Sequence, residues 1–292
     1  MILSWLTPIE AKPQHQTPNT ALQKELEQLL TEKNVVAGIA VSYQGKTICR
    51  INATQNFPMM SVFKLHQAIA IISRLQQDSL TLKSPVFITK NMLDSNTYSP
   101  LRDKYPQGNI QMNIGKLIEY SVALSDNNAS NILFSLFGGP EFAHQYIQDL
   151  GCRHTQIQWT EKQMNTIHRR AYNNCTTPDD AIILLETLAN KKSDNDLIHW
   201  LKTIMANTQT GTNRLAKYLP DNHTLYHKTG TGYTEKDGTL MAINDIGFVV
   251  LPDGSHYSIA VFCTKSKMSQ EDTEELIAKI SMLTNKHILS WK

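Results

Sequence analysis

Ser61 and Lys64 stand three residues apart at the front of an apolar run, Leu65 to Ile72, that reads as a buried helix. On a helix this spacing sets both side chains on one face, within contact range. A serine hydroxyl is a weak nucleophile until a base takes its proton. A lysine desolvated by apolar neighbours can be that base, because burial disfavours its charged form. Alone, the pair reads better as a helix cap and a solvated lysine. Two further groups follow it in order, Ser125-Asp126-Asn127 and Lys228-Thr229-Gly230, and they turn the balance toward a serine nucleophile with a lysine beside it.

Each group needs a position. Ser61 is expected to open the helix, with its backbone N–H among the unpaired donors there. Those donors and the helix dipole favour negative charge, so this N–H can form half of an oxyanion hole. Ser125-Asp126-Asn127 precedes a helix expected from about residue 128, and such residues are strong N-caps. Asp126 can brace that turn while Ser125 and Asn127 point into a cleft. Lys228-Thr229-Gly230-Thr231-Gly232 ends an expected strand. Lys228 and Gly230 should face one side and Thr229 and Thr231 the other, and a glycine there lets a ligand approach the strand closely.

The elements that must hold these groups follow from periodicity. Leu22, Leu26, Leu29 and Leu30 give a helical stripe from Ala21 to Lys33. Val35 to Tyr43 and Thr47 to Asn52 read as a hairpin joined by Gln44-Gly45. Helices are expected at Val62–Gln77, Ile114–Val122, Asn127–Phe137, Pro140–Leu150, Pro178–Asn190 and Asp194–Ala206. Irregular stretches fall at Asn91–Asn113 and Gln156–Thr177, and an ordered domain rarely keeps such long loops without a use. Strands return at Thr224–Thr229, Thr239–Leu251 and His256–Thr264, and a helix at Gln270–Ile288 closes the chain. The simplest packing is an α/β fold in which both chain ends share one antiparallel sheet, flanked by the terminal helices, with an inserted all-α domain. The boundaries are 21–56 with 208–292 for the discontinuous α/β domain and 57–207 for the insertion. Residues 1–20 read as a tail or the remnant of an export signal.

At 292 residues the chain can bury a large core, and 41% hydrophobic with 18% charged residues is ordinary for a globular protein. The net charge of +2 carries no nucleic-acid footprint, and no stretch approaches a bilayer span. Cys49, Cys152, Cys175 and Cys263 are scattered, with free buried thiols as the default and a Cys152–Cys175 bridge left open. The ten histidines show no HExxH or HxH spacing, which argues against a zinc hydrolase.

The ordered triple resembles the signature of penicillin-recognising serine enzymes. Over essentially its whole length from Ala21 the chain is similar to class A serine β-lactamases. The block from Tyr120 to Phe134 and the run Asn244-Asp245-Ile246-Gly247 are similar to the branch with extended-spectrum enzymes. The family fold, β-lactamase/transpeptidase-like, agrees with the layout above. Penicillin-binding proteins share the three motifs, whereas class A enzymes add a glutamate in an omega-shaped loop with an asparagine four residues later. Glu161 and Asn165, within Trp159-Thr160-Glu161-Lys162-Gln163-Met164-Asn165, match that place in a loop at about 156–177. On its own Glu161 would read as an exposed loop residue.

Some residues depart from the family. Its loop-tying Arg–Asp pair falls on Trp159 and Asn174, so the loop must be held otherwise, and Lys162 replaces a proline. Ala242-Ile243 stand where an arginine is common, and Arg214 occupies an alternative place used by related enzymes. The resemblance assigns Arg214 to the substrate carboxylate; its plain reading is a surface helix residue.

The resemblance thus implies a β-lactam hydrolase with Ser61 as nucleophile, Lys64 and Glu161 both open as the acylation base, and Ser125 as proton relay. Glu161 and Asn165 hold the deacylating water. The substrate meets Asn127, Lys228, Thr229, Gly230, Thr231 and Arg214. It implies a small-molecule substrate, no cofactor or metal, no nucleic-acid or membrane partner, a monomer, and a periplasmic or secreted location after signal removal. Thr231, Gly232 and a loop without its ion pair suggest room for bulky cephalosporins. The rivals are a D-alanyl-D-alanine transpeptidase or carboxypeptidase and an anchored β-lactam sensor; Glu161 counts against both.

Overall fold

The computed structural model describes residues 20–75, 77, 79–190 and 195–291. The expected tail or signal remnant, Thr20 apart, and the first residue of the helix expected from Asp194 lie outside the described residues. In chain order the elements begin with α1 (Thr20–Leu30), β1 (Val36–Tyr43), β2 (Lys46–Ile51) and β3 (Phe57–Pro58). They continue with α2 (Phe63–Leu75), β4 (Pro85–Ile88), α3 (Pro100–Lys104), β5 (Ile110–Asn113), α4 (Ile114–Ala123), α5 (Asn127–Phe137) and α6 (Pro140–Asp149). Then come α7 (Glu161–Thr166), β6 (Cys175–Thr176), α8 (Pro178–Ala189), α9 (Asp196–Ala206), β7 (Thr224–Thr231), β8 (Leu240–Val250), β9 (His256–Ser266) and α10 (Gln270–Leu289).

Both chain ends build one antiparallel sheet in the order β2-β1-β9-β8-β7. Its two faces follow the period of two. On β9, Ile259, Val261 and Cys263 turn to the terminal helices and pack with Leu22, Leu26, Leu276, Ile277 and Ile280. Ala260 and Phe262 turn to the opposite core, where they join Phe57, Phe63, Ile246 and Phe248. Helix α2 is buried from Phe63 to Ile72, so Lys64, His66 and Gln67 are enclosed together with its apolar residues.

The sheet leaves β7 as an edge strand, and the site is built against that edge. The 3-10 turn Met60–Val62 comes so close that a Cβ on Gly230 would collide with Met59 O. Asn244 Nδ2, from the neighbouring strand, donates to Pro58 O (2.8 Å) and Met59 O (3.1 Å). This corrects the reading of Gly230 as an allowance for a ligand: what approaches is the chain's own turn.

Two short ribbons, β3 with β6 and β4 with β5, lie inside the stretches expected to be helical or irregular. Strands of two to four residues carry too little periodicity to be read in advance. The four thiols are free, so there is no Cys152–Cys175 bridge, and Cys152 Sγ instead donates to Asp180 O (3.4 Å).

Candidate active site

Ser61 lies within the 3-10 turn rather than at the start of the α-helix, which begins two residues later at Phe63. The turn is entered through Met60 in the left-handed region (φ 49°). A residue held there stores strain that the surrounding contacts must sustain, and such strain clusters at active sites. The spacing to Lys64 still closes the pair: Lys64 Nζ is 2.9 Å from Ser61 Oγ.

Lys64 is fully buried and its Nζ meets four oxygens. Besides Ser61 Oγ these are Ser125 O (2.8 Å), Asn127 Oδ1 (2.5 Å) and Glu161 Oε1 (2.8 Å). An ammonium has three protons, so the oxygens outnumber them by one. Ser61 Oγ in turn donates to Glu161 Oε1 at 3.1 Å. Serine, lysine and glutamate therefore form one closed proton-sharing knot.

Asp126 is the N-cap of α5 and accepts from Ala129 N (2.8 Å), Leu101 N (2.6 Å) and Ser99 Oγ. Burial nevertheless raises its carboxyl above the usual range. Bracing by Asp126 holds Ser125 in the left-handed region (φ 57°), and Asn127 follows with Nδ2 donating to Thr97 Oγ1 (2.8 Å). Ser125 Oγ accepts from Lys228 Nζ (3.0 Å), which also donates to Thr229 O (2.9 Å). Burial, and next the charge of Lys64, hold the Lys228 ammonium well below the usual lysine range.

Along β7 the sides alternate as expected. Lys228 and Gly230 face Ser125 and the 60–62 turn. Thr229 and Thr231 face the segment after α9, where Thr229 Oγ1 meets Thr210 Oγ1 (2.5 Å). Gly232 N donates to Ala242 O on β8 (2.7 Å). Alternation then turns the Thr231 N–H to the open edge of the sheet.

Glu161 opens α7, and Thr160 and Gln163 form a complete capping box before it. The loop lacks its ion pair, and Asn174 does the tying. Its buried side chain accepts from Gln158 N (2.8 Å) and Trp159 N (2.9 Å) and donates to Trp159 O (2.8 Å). Arg170 adds its guanidinium over the Trp159 ring, 4.2 Å from the centroid. Asn165 Nδ2 reaches across to Asn96 O, joining this loop to the 94–98 segment.

Arg214 is not a surface helix residue. It sits in a turn, 2% exposed, and pairs with Glu274 at 2.9 Å. It also donates to Gly230 O (3.2 Å), Asn244 O (2.9 Å) and Thr231 Oγ1 (2.7 Å). Sequence reasoning missed Glu274, though a signal was present: it continues the buried stripe Ile277, Ala278 and Ser281 on α10, and a charge on such a stripe needs a partner. Thr97, Thr210 and Asn96 carried no comparable signal.

The family model described as the β-lactamase enzyme family matches residues 21–288, and the chain belongs to this family. A β-lactamase of Bacteroides uniformis is 36% identical over 90% of this chain and 89% of its own length. The extended-spectrum β-lactamase PER-1 of Pseudomonas aeruginosa is 33% identical over 89% and 85%. Among solved structures, a class A β-lactamase from Bacteroides cellulosilyticus superposes with a TM-score of 0.90 at 33% identity, covering 94% of this chain and 99% of that one. Family, fold and extended-spectrum-like branch therefore agree with the resemblance carried by the motifs.

Proposed function

We propose that the protein hydrolyses β-lactams through an acyl-enzyme on Ser61 that is released by water activated at Glu161. The observation that carries this is the knot in which Ser61 Oγ lies 2.9 Å from Lys64 Nζ and 3.1 Å from Glu161 Oε1. Membership in the β-lactamase family supplies the substrate class.

Ser61 Oγ attacks the lactam carbonyl, and its proton passes to Glu161 or to Lys64, both within reach. The oxyanion is held between the Ser61 and Thr231 N–H groups, and losing one such donor costs about 3–4 kcal/mol in comparable acyl transfer. As the C–N bond breaks, the Ser125 hydroxyl gives its proton to the ring nitrogen. It takes up, by way of Lys64, the proton that left Ser61, so Glu161 is again a free carboxylate. Lys228 steadies the Ser125 oxygen during the transfer. Water then attacks the ester, Glu161 takes its proton, and Ser61 Oγ recovers a proton as it leaves. Glu161 and Asn165 share this second step, with Asn165 also fixing the loop through Asn96. Asn127 takes the side-chain amide of the substrate.

The substrate carboxylate lies toward Lys228, Thr229 and Thr231. Arg214, offset by Glu274, acts chiefly by orienting the Thr231 hydroxyl toward it. The α/β portion (21–56 with 208–292) and the mainly helical portion (57–207), with its two short β ribbons, would then meet along this cleft. All these groups come from one chain, so a monomer without cofactor suffices. A substrate encountered outside the cytoplasm favours a periplasmic or secreted location. No helix among the described residues is long and apolar enough to cross a membrane.

Nitrocefin turnover by the purified protein, with mass spectrometry on a slowly released β-lactam, tests this reading. The adduct is expected on the peptide carrying Ser61, and Ser61→Ala is expected to be inactive. An adduct elsewhere, or full turnover by that variant, contradicts it.

A further inference from the structure

Asn244 takes no part in any step above, yet its side chain grips the turn that carries Ser61. It stands on β8 opposite Gly230, fully buried, and its Nδ2 donates to Pro58 O (2.8 Å) and Met59 O (3.1 Å). Met59 O also closes the 3-10 turn by accepting from Val62 N (3.2 Å). Both lone pairs of that carbonyl are then in use, and Met60 and Ser61 lie between the two ends of the closing bond. Gly230 makes the room: a Cβ there would come within 2.4 Å of Met59 O.

The same stretch of backbone is held from a second direction. Met59 N donates to Asn174 O (2.8 Å), and Pro58 pairs with Cys175 in the β3–β6 ribbon. The Asn174 side chain ties Trp159, two residues before Glu161. The approach to Ser61 is thus fastened through an N–H to the Glu161 loop and through two carbonyls to the sheet. Between these fasteners Met60 takes φ 49°, a conformation that only surrounding contacts sustain. The amide itself shows what the position requires. Carbonyl oxygens only accept, so the NH2 end has to face them. Asn244 Oδ1 is left buried with no partner among the described residues. A residue kept for packing would do better as an apolar one, because an unpaired buried acceptor is costly. The two donated protons are what the position is kept for.

We infer that Asn244 is a positioning residue for acylation. Through Pro58 O and Met59 O it sets the direction of Ser61 Oγ toward Lys64 and of the Ser61 N–H toward the oxyanion. The inference rests on the proposed reading of Ser61 as the nucleophile. Arg214 Nη1, which donates to Asn244 O (2.9 Å), steadies the β8 backbone at the same residue. Asn244 touches the turn and not the substrate, so its loss acts on the rate of attack and leaves initial binding alone.

The test is acylation by nitrocefin in single-turnover stopped flow, which separates the noncovalent dissociation constant from the rate constant of ring opening. Rates are expressed per competent site, counted by mass spectrometry after titration with a slowly released β-lactam. Asn244→Leu keeps the volume without a donor, and Asn244→Asp keeps the shape but sets oxygen against oxygen. In each, the acylation rate constant should fall about 10- to 100-fold, the order of loss that a displacement of about 1 Å brings. The dissociation constant should stay at the parental value. A loss confined to the number of competent sites, with a parental rate constant, would reduce Asn244 to packing. A weakened dissociation constant with a parental rate constant would make it a substrate contact. Either result overturns the inference. Where neither variant folds, Asn244→Ser, smaller and uncharged, gives the same readings. A parent whose adduct lies away from Ser61 overturns the reading beneath it instead.

Discussion

Two buried cation–glutamate pairs line the site, one on each wall, and they differ in what the cation can do. Lys64 pairs with Glu161 at 2.8 Å and Arg214 pairs with Glu274 at 2.9 Å, with both cations almost wholly shielded from water. Lysine brings a single nitrogen to four oxygens, one of them the nucleophile. An amine can give and take a proton, so this pair belongs to the chemistry. Arginine keeps its charge and spreads its donors over Gly230 O, Asn244 O, Thr231 Oγ1 and Glu274. A guanidinium in that setting is a fixed charge and a brace. Burial and pairing alone therefore do not mark a reactive group; contact with the nucleophile and a labile proton do.

The sharpest way to break this comparison is to give the lysine wall the arginine's chemistry. Lys64→Arg keeps the positive charge but cannot be deprotonated to serve as a base. Acylation by a cephalosporin, followed by stopped flow, should fall by about 10²–10⁴-fold, the usual worth of a positioned acid–base group. A variant that acylates at the parental rate would show that Lys64 serves only as a charge.

The arginine wall should respond less. Arg214→Ala is expected to lower kcat/KM for carboxylate-bearing β-lactams by about 1–3 kcal/mol of charged hydrogen bonding. The loss should fall mainly in KM, since the proton-sharing knot is untouched. Unchanged kinetics would mean that Lys228 and the two threonines hold the carboxylate unaided.

His66 provides a contrast with both pairs, for it is buried with no carboxylate and acts on stability rather than on turnover. Its Nδ1 faces Val62 O at 3.2 Å, and its Nε2 has no partner among the described residues. Burial lowers its pKa to about 4 from 6.5. Between those values the unfolded chain binds the extra proton and the folded chain does not, so stability rises with pH there and is lost on acidification. From pH 7 to pH 5 this group should cost about 2 kcal/mol. Urea unfolding at the two pH values, in the parent and in His66→Gln, reads the difference. An equal pH response in both would remove His66 as the cause.

Local chemistry was the most legible part of the sequence. The β-branched alternation of β8 and β9 set both faces of the sheet, and the Ser61–Lys64 spacing brought hydroxyl and amine together even though the turn around Ser61 is 3-10. What escaped depends on residues far apart in the chain. Asn174 replaces an ion pair by bonding the backbone at Gln158 and Trp159, 16 and 15 residues away. Arg214 meets Glu274 sixty residues on, so its side chain looked free to face solvent. Neither has a local period, and only the folded chain brings them together. Gly230 shows a third kind of miss: the need for a small residue was visible, but whether ligand or backbone filled the space was not.

The most direct test of the account is the time course of nitrocefin hydrolysis by Glu161→Ala. Ser61, Lys64, Ser125 and the oxyanion donors remain, so the variant should acylate, release a burst close to one equivalent, and then turn over about 10²–10⁴-fold more slowly. Mass spectrometry during the slow phase should find the acyl group on Ser61. Steady turnover at the parental rate, with no burst and no accumulated acyl-enzyme, would contradict the assignment of Glu161 and with it the deacylation half of the mechanism.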